Sequence, residues 1–314
     1  MESSRPVADW PSPDGSAPPA ENVPEPATHG FSIAMVIAAV LLFSVSDVVA
    51  KQLSASVPAV EVVWLRFVPL VGIALALMVR RRRRLWPAKP GAQVLRGLAL
   101  LGAGQFFIMS LHSLGVAEAT AISFVTPAFL TLLAIPLLGE RVGMHRWVAV
   151  FLGLAGVLVV VRPGAGAFQL AALLPAASAF CGAVMAVITR QIGDRDSSET
   201  TIFWSVAVGF GLLTLSAPWW WANFDPRLIG PALLMGALYG MGQYLLVLAY
   251  SRGDASLVAP FSYVQVVAAT ILGAVVFGHL PDAVSLGGIA LVVASGAYTL
   301  HREGLMPGLR RRPG

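Results

Sequence analysis

The chain has 314 residues, 57% of them hydrophobic and 12% charged, with a net charge of +5. A soluble domain carries roughly 25% charged residues, so this chain cannot cover a surface against water, and lipid must be the solvent for most of it. Its one cysteine, Cys181, excludes an internal disulfide framework and a cysteine-built metal site.

Residues 1–30 hold Pro6, Pro11, Pro13, Pro18, Pro19, Pro24 and Pro26 among Ser, Asp and Glu. With little to bury, they predict a disordered cytoplasmic tail. No cationic start leads into an apolar stretch near Met1, as a signal peptide requires. From Phe31 the pattern changes to apolar runs of about 20 residues, each long enough to cross a bilayer as a helix. Ten are predicted, at 31–52, 58–79, 94–113, 118–138, 145–161, 169–190, 200–221, 229–250, 255–278 and 284–301. Lipid-spanning strands would need alternating polarity and a closed barrel, whereas these segments are apolar on nearly all faces. The expected fold is an all-α integral membrane protein of ten transmembrane helices. Its units are a five-helix unit at 31–162, a second at 168–303 and a basic tail at 304–314, with Arg162-Pro163-Gly164-Ala165-Gly166 as the linker.

The basic residues set the orientation. Arg80 to Arg84, with Lys89 and Arg96, mark the second loop as cytoplasmic. Alternating from there, seventeen of the 21 Lys and Arg residues fall inside, and only Arg162 and Arg227 fall outside. This bias places both termini in the cytoplasm. Basic residues so distributed are a topology signal rather than a nucleic-acid face. The arginine run also admits an anionic-lipid-binding reading.

Polar groups inside lipid must be paired or face a water-filled cavity. In the first span Ser44, Asp47 and Lys51 share one helical face, and Asp47 and Lys51 are four apart, the spacing at which acid and base meet. Either Lys51 snorkels to the headgroups and pairs with Asp47, or Asp47 carries a coupling proton or contacts substrate. Arg66 sits too deep in the second span to snorkel, and either anchors to backbone carbonyls or meets an anionic or aromatic part of a substrate. Gln105, in the third span, belongs to Gly102-Ala103-Gly104-Gln105-Phe106, which returns 138 residues later as Gly240-Met241-Gly242-Gln243-Tyr244. Ser113, Gly115 and Glu61 return as Ser251, Gly253 and Glu199 at the same offset. This is an internal duplication, and an odd number of spans per copy forces the second copy to insert upside down, the architecture of alternating-access transporters. Gln105 and Gln243 serve either as helix glue or as a symmetric cavity-lining pair.

The fourth span carries Ser123, Thr126 and Pro127, and the ninth carries Pro260, Ser262, Tyr263 and Gln265. Prolines there predict broken helices at corresponding places in the two copies, the usual pointer to a binding site. Tyr239, Tyr244 and Tyr263 offer aromatic walls for a flat substrate. Trp219-Trp220-Trp221 reads as an aromatic belt at the outer interface. The five histidines, His29, His112, His145, His279 and His301, show no zinc spacing. The sequence holds neither a P-loop nor a nucleophile elbow, so the expectation is no enzyme, no metal and no cofactor.

The duplicated five-span unit, Leu138-Gly139-Glu140 at the end of the fourth span, and Gly153-Leu154-Ala155-Gly156-Val157 resemble the EamA-type drug/metabolite transporter superfamily across residues 31–303. Phe277 to Asp282, Ser295-Gly296-Ala297-Tyr298, Arg302-Glu303 and Ala259-Pro260-Phe261-Ser262-Tyr263 are similar to a bacterial subgroup that includes uptake proteins for riboflavin and S-adenosylmethionine. His279 departs from the Asp or Glu usual at its position. The resemblance implies an inverted-repeat secondary transporter of the inner membrane, moving one small organic metabolite. It implies a central cavity built mainly from the first, third, fourth, sixth, eighth and ninth spans. That cavity would draw on Asp47, Gln105, Ser123, Thr126, Gln243, Tyr263 and Gln265, with the lipid bilayer as the other partner. The substrate (riboflavin-like, S-adenosylmethionine-like or amino-acid-type), its direction of movement, proton coupling through Asp47 and self-association into a homodimer stay open.

Overall fold

A computed structural model describes residues 26–81, 86–138, 144–161, 167–192, 195–221, 225–252, 259–278 and 280–302. The expected tail up to residue 25, Arg82 to Arg84, Gly139-Glu140, the 162–166 linker, Gly253, His279, Glu303 and the basic tail from 304 lie outside the described residues.

Among the described residues all regular structure is helical. The chain runs α1 Pro26–Ser54, α2 Ala59–Arg81, α3 Pro90–Ser110, α4 Val116–Ser123, α5 Thr126–Leu138 and α6 Met144–Val161. It continues through α7 Ala167–Ile192, α8 Ser198–Trp220, α9 Ile229–Arg252, α10 Val264–Phe277 and α11 Ala283–Arg302. Short 3-10 turns at Pro226–Leu228 and Ala259–Tyr263 precede α9 and α10. α3 opens on a proline, which suits a helix start because that N–H has no intrahelical partner. The Ser197 hydroxyl caps α8 by accepting from the Thr200 N–H at 3.2 Å, and α10 stops at Gly278, whose φ of 71° is the left-handed conformation glycine supplies at a helix end.

Among the described residues seven spans are long and apolar enough to cross a bilayer, α4 and α5 together making one of them. Three shorter apolar helices, Val150–Val161, Phe261–Phe277 and Ala283–Ser295, stand where further spans are expected. Large apolar side chains such as Val79, Leu170, Leu215 and Val275 are exposed, the pattern of a surface that meets hydrocarbon rather than water.

The packing crosses between the two copies. α1 lies against α9, and α7 against α3; α2 meets α9, and α8 meets α3. α1 touches α10 as α7 touches α4 and α5, while α2 meets α8 and α6 meets α11. When the copies are exchanged each pairing becomes another member of the set, except α2 with α8 and α6 with α11, which map onto themselves. Contacts between successive helices of one copy, such as α1 with α2 and α2 with α3, are slighter. α9 reaches its neighbours through glycines. A Cβ at Gly236 would lie 2.7 Å from the Pro69 ring and 3.0 Å from the Leu65 carbonyl oxygen, and one at Gly242 would lie 2.7 Å from the Phe43 ring.

Helix direction follows from the polar ties at the two ends of α3. At its C-terminal end, Lys51 from the last turn of α1 donates to the Leu111 and Leu114 carbonyls at 2.9 and 2.7 Å. At its N-terminal end, Arg96 donates to Thr189 near the end of α7 at 2.8 Å, and Lys89 donates to the Gln191 carbonyl at 2.9 Å. The C-termini of α1 and α7, equivalent helices of the two copies, thus lie at opposite ends of α3.

Candidate functional site

The fourth span breaks between Ser123 and Thr126. In an unbroken helix the Ser123 carbonyl would accept from the N–H of residue 127, but Pro127 has none. The Thr126 hydroxyl donates to that carbonyl instead, at 2.7 Å. In the second copy the corresponding segment enters as the 3-10 turn Ala259–Tyr263 before α10 takes over. Phe124, in the first break, packs on Tyr263, at the end of the second, with ring centroids 4.8 Å apart.

Both breaks face a cavity of about 680 Å³, within the range of about 300–1,000 Å³ common for pockets that enclose small organic ligands. Phe43, Phe107, Phe124, Tyr239 and Tyr263 supply aromatic walls; Thr120, Ser123, Thr126, Thr131, Ser178, Ser262, Gln243, Gln265 and Ser295 supply hydroxyls and amides. Among the described lining residues Asp47 is the one carboxylate, and Arg66 and Arg190 are the cations.

Asp47 and Arg66 are buried against each other. An Arg66 Nη2 hydrogen bond reaches Asp47 Oδ1 at 2.5 Å, and the same nitrogen lies 3.2 Å from the Ser46 hydroxyl. Ser46 in turn donates to the Met235 carbonyl at 2.9 Å, tying the cluster to α9. The guanidinium carbon sits 3.8 Å from the Tyr239 ring centroid, a close cation–π contact. The Gln265 amide donates to Asp47 Oδ2 at 3.4 Å, and the Gln243 amide donates to the Tyr239 hydroxyl at 3.1 Å. Four helices, α1, α2, α9 and α10, therefore meet at one ion pair.

Of the residues singled out from sequence, Asp47, Arg66, Ser123, Thr126, Tyr239, Gln243, Ser262, Tyr263 and Gln265 line this cavity. Gln105 does not. Its Oε1 is enclosed without a hydrogen-bond partner among the described residues, so the sequence-symmetric pair Gln105 and Gln243 occupies unlike surroundings. The Asp47–Lys51 pairing suggested by helical spacing is also corrected. Lys51 turns to the end of α3 and lies 5.7 Å from the Phe277 ring centroid, and Asp47 takes its counter-charge from the next helix. Tyr244 lines a separate small recess rather than this cavity. Trp221 packs edge-on against Trp64 with centroids 5.2 Å apart, while Trp219 is exposed. The lining also draws on α2, α6 and α11, beyond the six spans the resemblance implies.

Sequence reading missed Phe43, Phe124, Ser46 and Ser178. A phenylalanine in an apolar span carries no mark that tells cavity from lipid. Ser46 had one available signal, its place directly beside an intramembrane aspartate. Among the described residues no group of three His, Cys, Asp or Glu side chains could hold a metal.

The cavity is one-sided. Its lining continues through Thr131 and Ala134 to Arg190, exposed at the end of α7. At the other end of the bundle, where Lys51 ties α1 to α3, Leu53, Val57, Leu111, Leu114 and Val116 are buried.

The EamA-like transporter family model matches residues 30–162 and again 169–300. Curated relatives are similar over most of their length. An S-adenosylmethionine uptake transporter of Rickettsia bellii is 26% identical over 88% of this chain and 95% of its own length. A riboflavin transporter of Rhizobium johnstonii is 30% identical over 66% of this chain and 68% of its own. A pseudopaline exporter of Pseudomonas aeruginosa is 25% identical over 87% of this chain and 97% of its own.

Proposed function

The chain belongs to the EamA-like transporter family, and we propose that it carries one small organic metabolite across the bacterial inner membrane by alternating access at the central cavity. The reading includes ten spans in two inverted five-helix repeats with both termini cytoplasmic, α6, α10 and α11 serving as the shorter spans. The observation that carries it is the convergence of the two broken helices, one from each copy, on a single aromatic and polar cavity. Unwound backbone at membrane depth is tolerated where it lines such a cavity, and that is where inverted-repeat transporters bind their substrates.

The moving bodies are mixed. α1, α9 and α10 form one packed group, and α3, α4, α5 and α7 form its counterpart. Rocking of these groups, rather than of the two sequence halves, would close the mouth near Arg190 and open the end sealed by Lys51. The relatives' names supply the solutes to try first: S-adenosylmethionine, riboflavin and pseudopaline. Proteoliposomes loaded with each should take up the same labelled solute by counterflow. A protein that binds one of them and moves none would be a membrane sensor, and the transport reading would fall.

Asp47 is the candidate proton carrier, being the one carboxylate among the described lining residues. The alternative, ion-independent exchange or export, is favoured by its pairing with Arg66, since the protein already supplies the charge that balances it. Asp47→Asn should abolish any pH-gradient-driven uptake if the proton travels on Asp47, whereas counterflow by the wild-type protein under a solute gradient alone, with no pH gradient, supports ion-independent exchange.

A further inference from the structure

We propose that the Asp47–Arg66 pair stands in for the solute. A molecule bearing both a carboxylate and a cationic centre binds by exchanging its two charges for the protein's own. The proposal rests on the transport reading and narrows its substrate class to amphoteric solutes.

Both partners are held, yet incompletely. An arginine and a carboxylate at full strength meet through two parallel hydrogen bonds; here one nitrogen, Nη2, makes the contact with Asp47 and also serves Ser46. Arg66 Nε is enclosed and has no acceptor among the described residues. Asp47 Oδ2 has the Gln265 amide at 3.4 Å, near the limit of a hydrogen bond, although a carboxylate has about four acceptor sites. Tyr239 covers one face of the guanidinium and fixes its plane, so its remaining N–H groups lie along its edge. Both side chains line the cavity. The pair is satisfied well enough to stand in the empty carrier and has capacity left for a second carboxylate and a second cation.

The charge count then selects the ligand. A zwitterion brings one charge for each partner, and the loaded pair sums to zero as the empty one does. A cation alone or an anion alone strands one buried charge without a counter-ion. A neutral solute gains nothing from either group. Arg190, the other charged residue among the described lining, lies at the exposed end of α7, away from the pair.

The test is equilibrium binding to the purified full-length protein on two scaffolds. S-adenosylhomocysteine is compared with 5′-methylthioadenosine, which keeps the nucleoside and drops both charges. Tryptophan is compared with tryptamine and indole-3-propionate, which keep one charge each. The expected result is at least tenfold tighter binding of the zwitterion on one scaffold or both. In the double variant Asp47→Asn with Arg66→Gln no charge is left unpaired, and the preference should disappear. Uncharged or singly charged probes that bind as tightly as the zwitterions, or zwitterions that do not bind at all, overturn the proposal on the wild-type protein alone. A double variant that folds and keeps the preference also overturns it. Counterflow of a neutral solute would defeat this proposal and leave transport standing; charge-selective binding without flux would do the reverse.

Discussion

Arg66 is the residue on which most of the site depends. Removing one partner of a buried ion pair costs about 3–5 kcal/mol because the other charge is stranded. Asp47→Asn or Arg66→Gln alone should therefore lower thermal stability more than the two together, measured by unfolding of the purified protein. Equal losses in all three variants would show that the charges are already satisfied by water. Asp47 and Arg66 were both legible in the sequence as polar groups that lipid forces to have a reason. Their partnership was not, because a sequence displays the i, i+4 neighbour on the same helix and hides the neighbour on the next. Lys51 offered itself at that spacing and instead donates two hydrogen bonds at the end of α3. Gln105 misled in the same way: repetition of a motif marks equivalent positions in two copies, and equivalent positions face the same surroundings only where the symmetry holds at the side-chain level.

Among the elements, the break between α4 and α5 carries a local prediction. The Thr126 hydroxyl stands in for the N–H that Pro127 lacks, and a buried acceptor left unsatisfied costs about 1–3 kcal/mol. Thr126→Val should destabilise the protein by that order, and Pro127→Ala should rescue it by restoring a backbone donor. A double-mutant cycle reads the coupling, and strict additivity would refute the account. Glycines give a second contrast. Gly236→Ala should destabilise, since the added methyl meets the Pro69 ring and the Leu65 carbonyl, whereas Gly211→Ala on α8 meets nothing within 4 Å and should be tolerated or mildly stabilising. The positions of the breaks were legible because proline fixes its own backbone chemistry. The 3-10 form of the second break was not, since proline accommodates several tight geometries at a helix start.

For the whole molecule, the apolar runs announced a helical membrane protein, and the duplicated motif announced two copies. Which helix touches which was not written in the pattern, because segments apolar on nearly all faces do not say which face meets protein and which meets lipid. The answer, packing between copies rather than within them, predicts that neither half is stable alone. Residues 1–161 and 167–314 expressed as separate chains should be degraded singly and should yield a ligand-binding complex when made together. A stable, monomeric first half would contradict the packing. The linker would then act only to hold the partners at high effective concentration.

The Asp47–Arg66 pair also has a bearing on how the protein is made. α1 cannot meet α9 until about 200 further residues have been synthesised, on the order of 10–40 s at roughly 5–20 residues per second. Through that interval a carboxylate and a guanidinium sit in segments bound for hydrocarbon. They lie on consecutive helices, only 19 residues apart, so the first hairpin can leave the insertion machinery with its charges already cancelled. The contact that awaits a solute in the finished carrier would thus be, in the nascent chain, what lets its first two helices enter the bilayer at all.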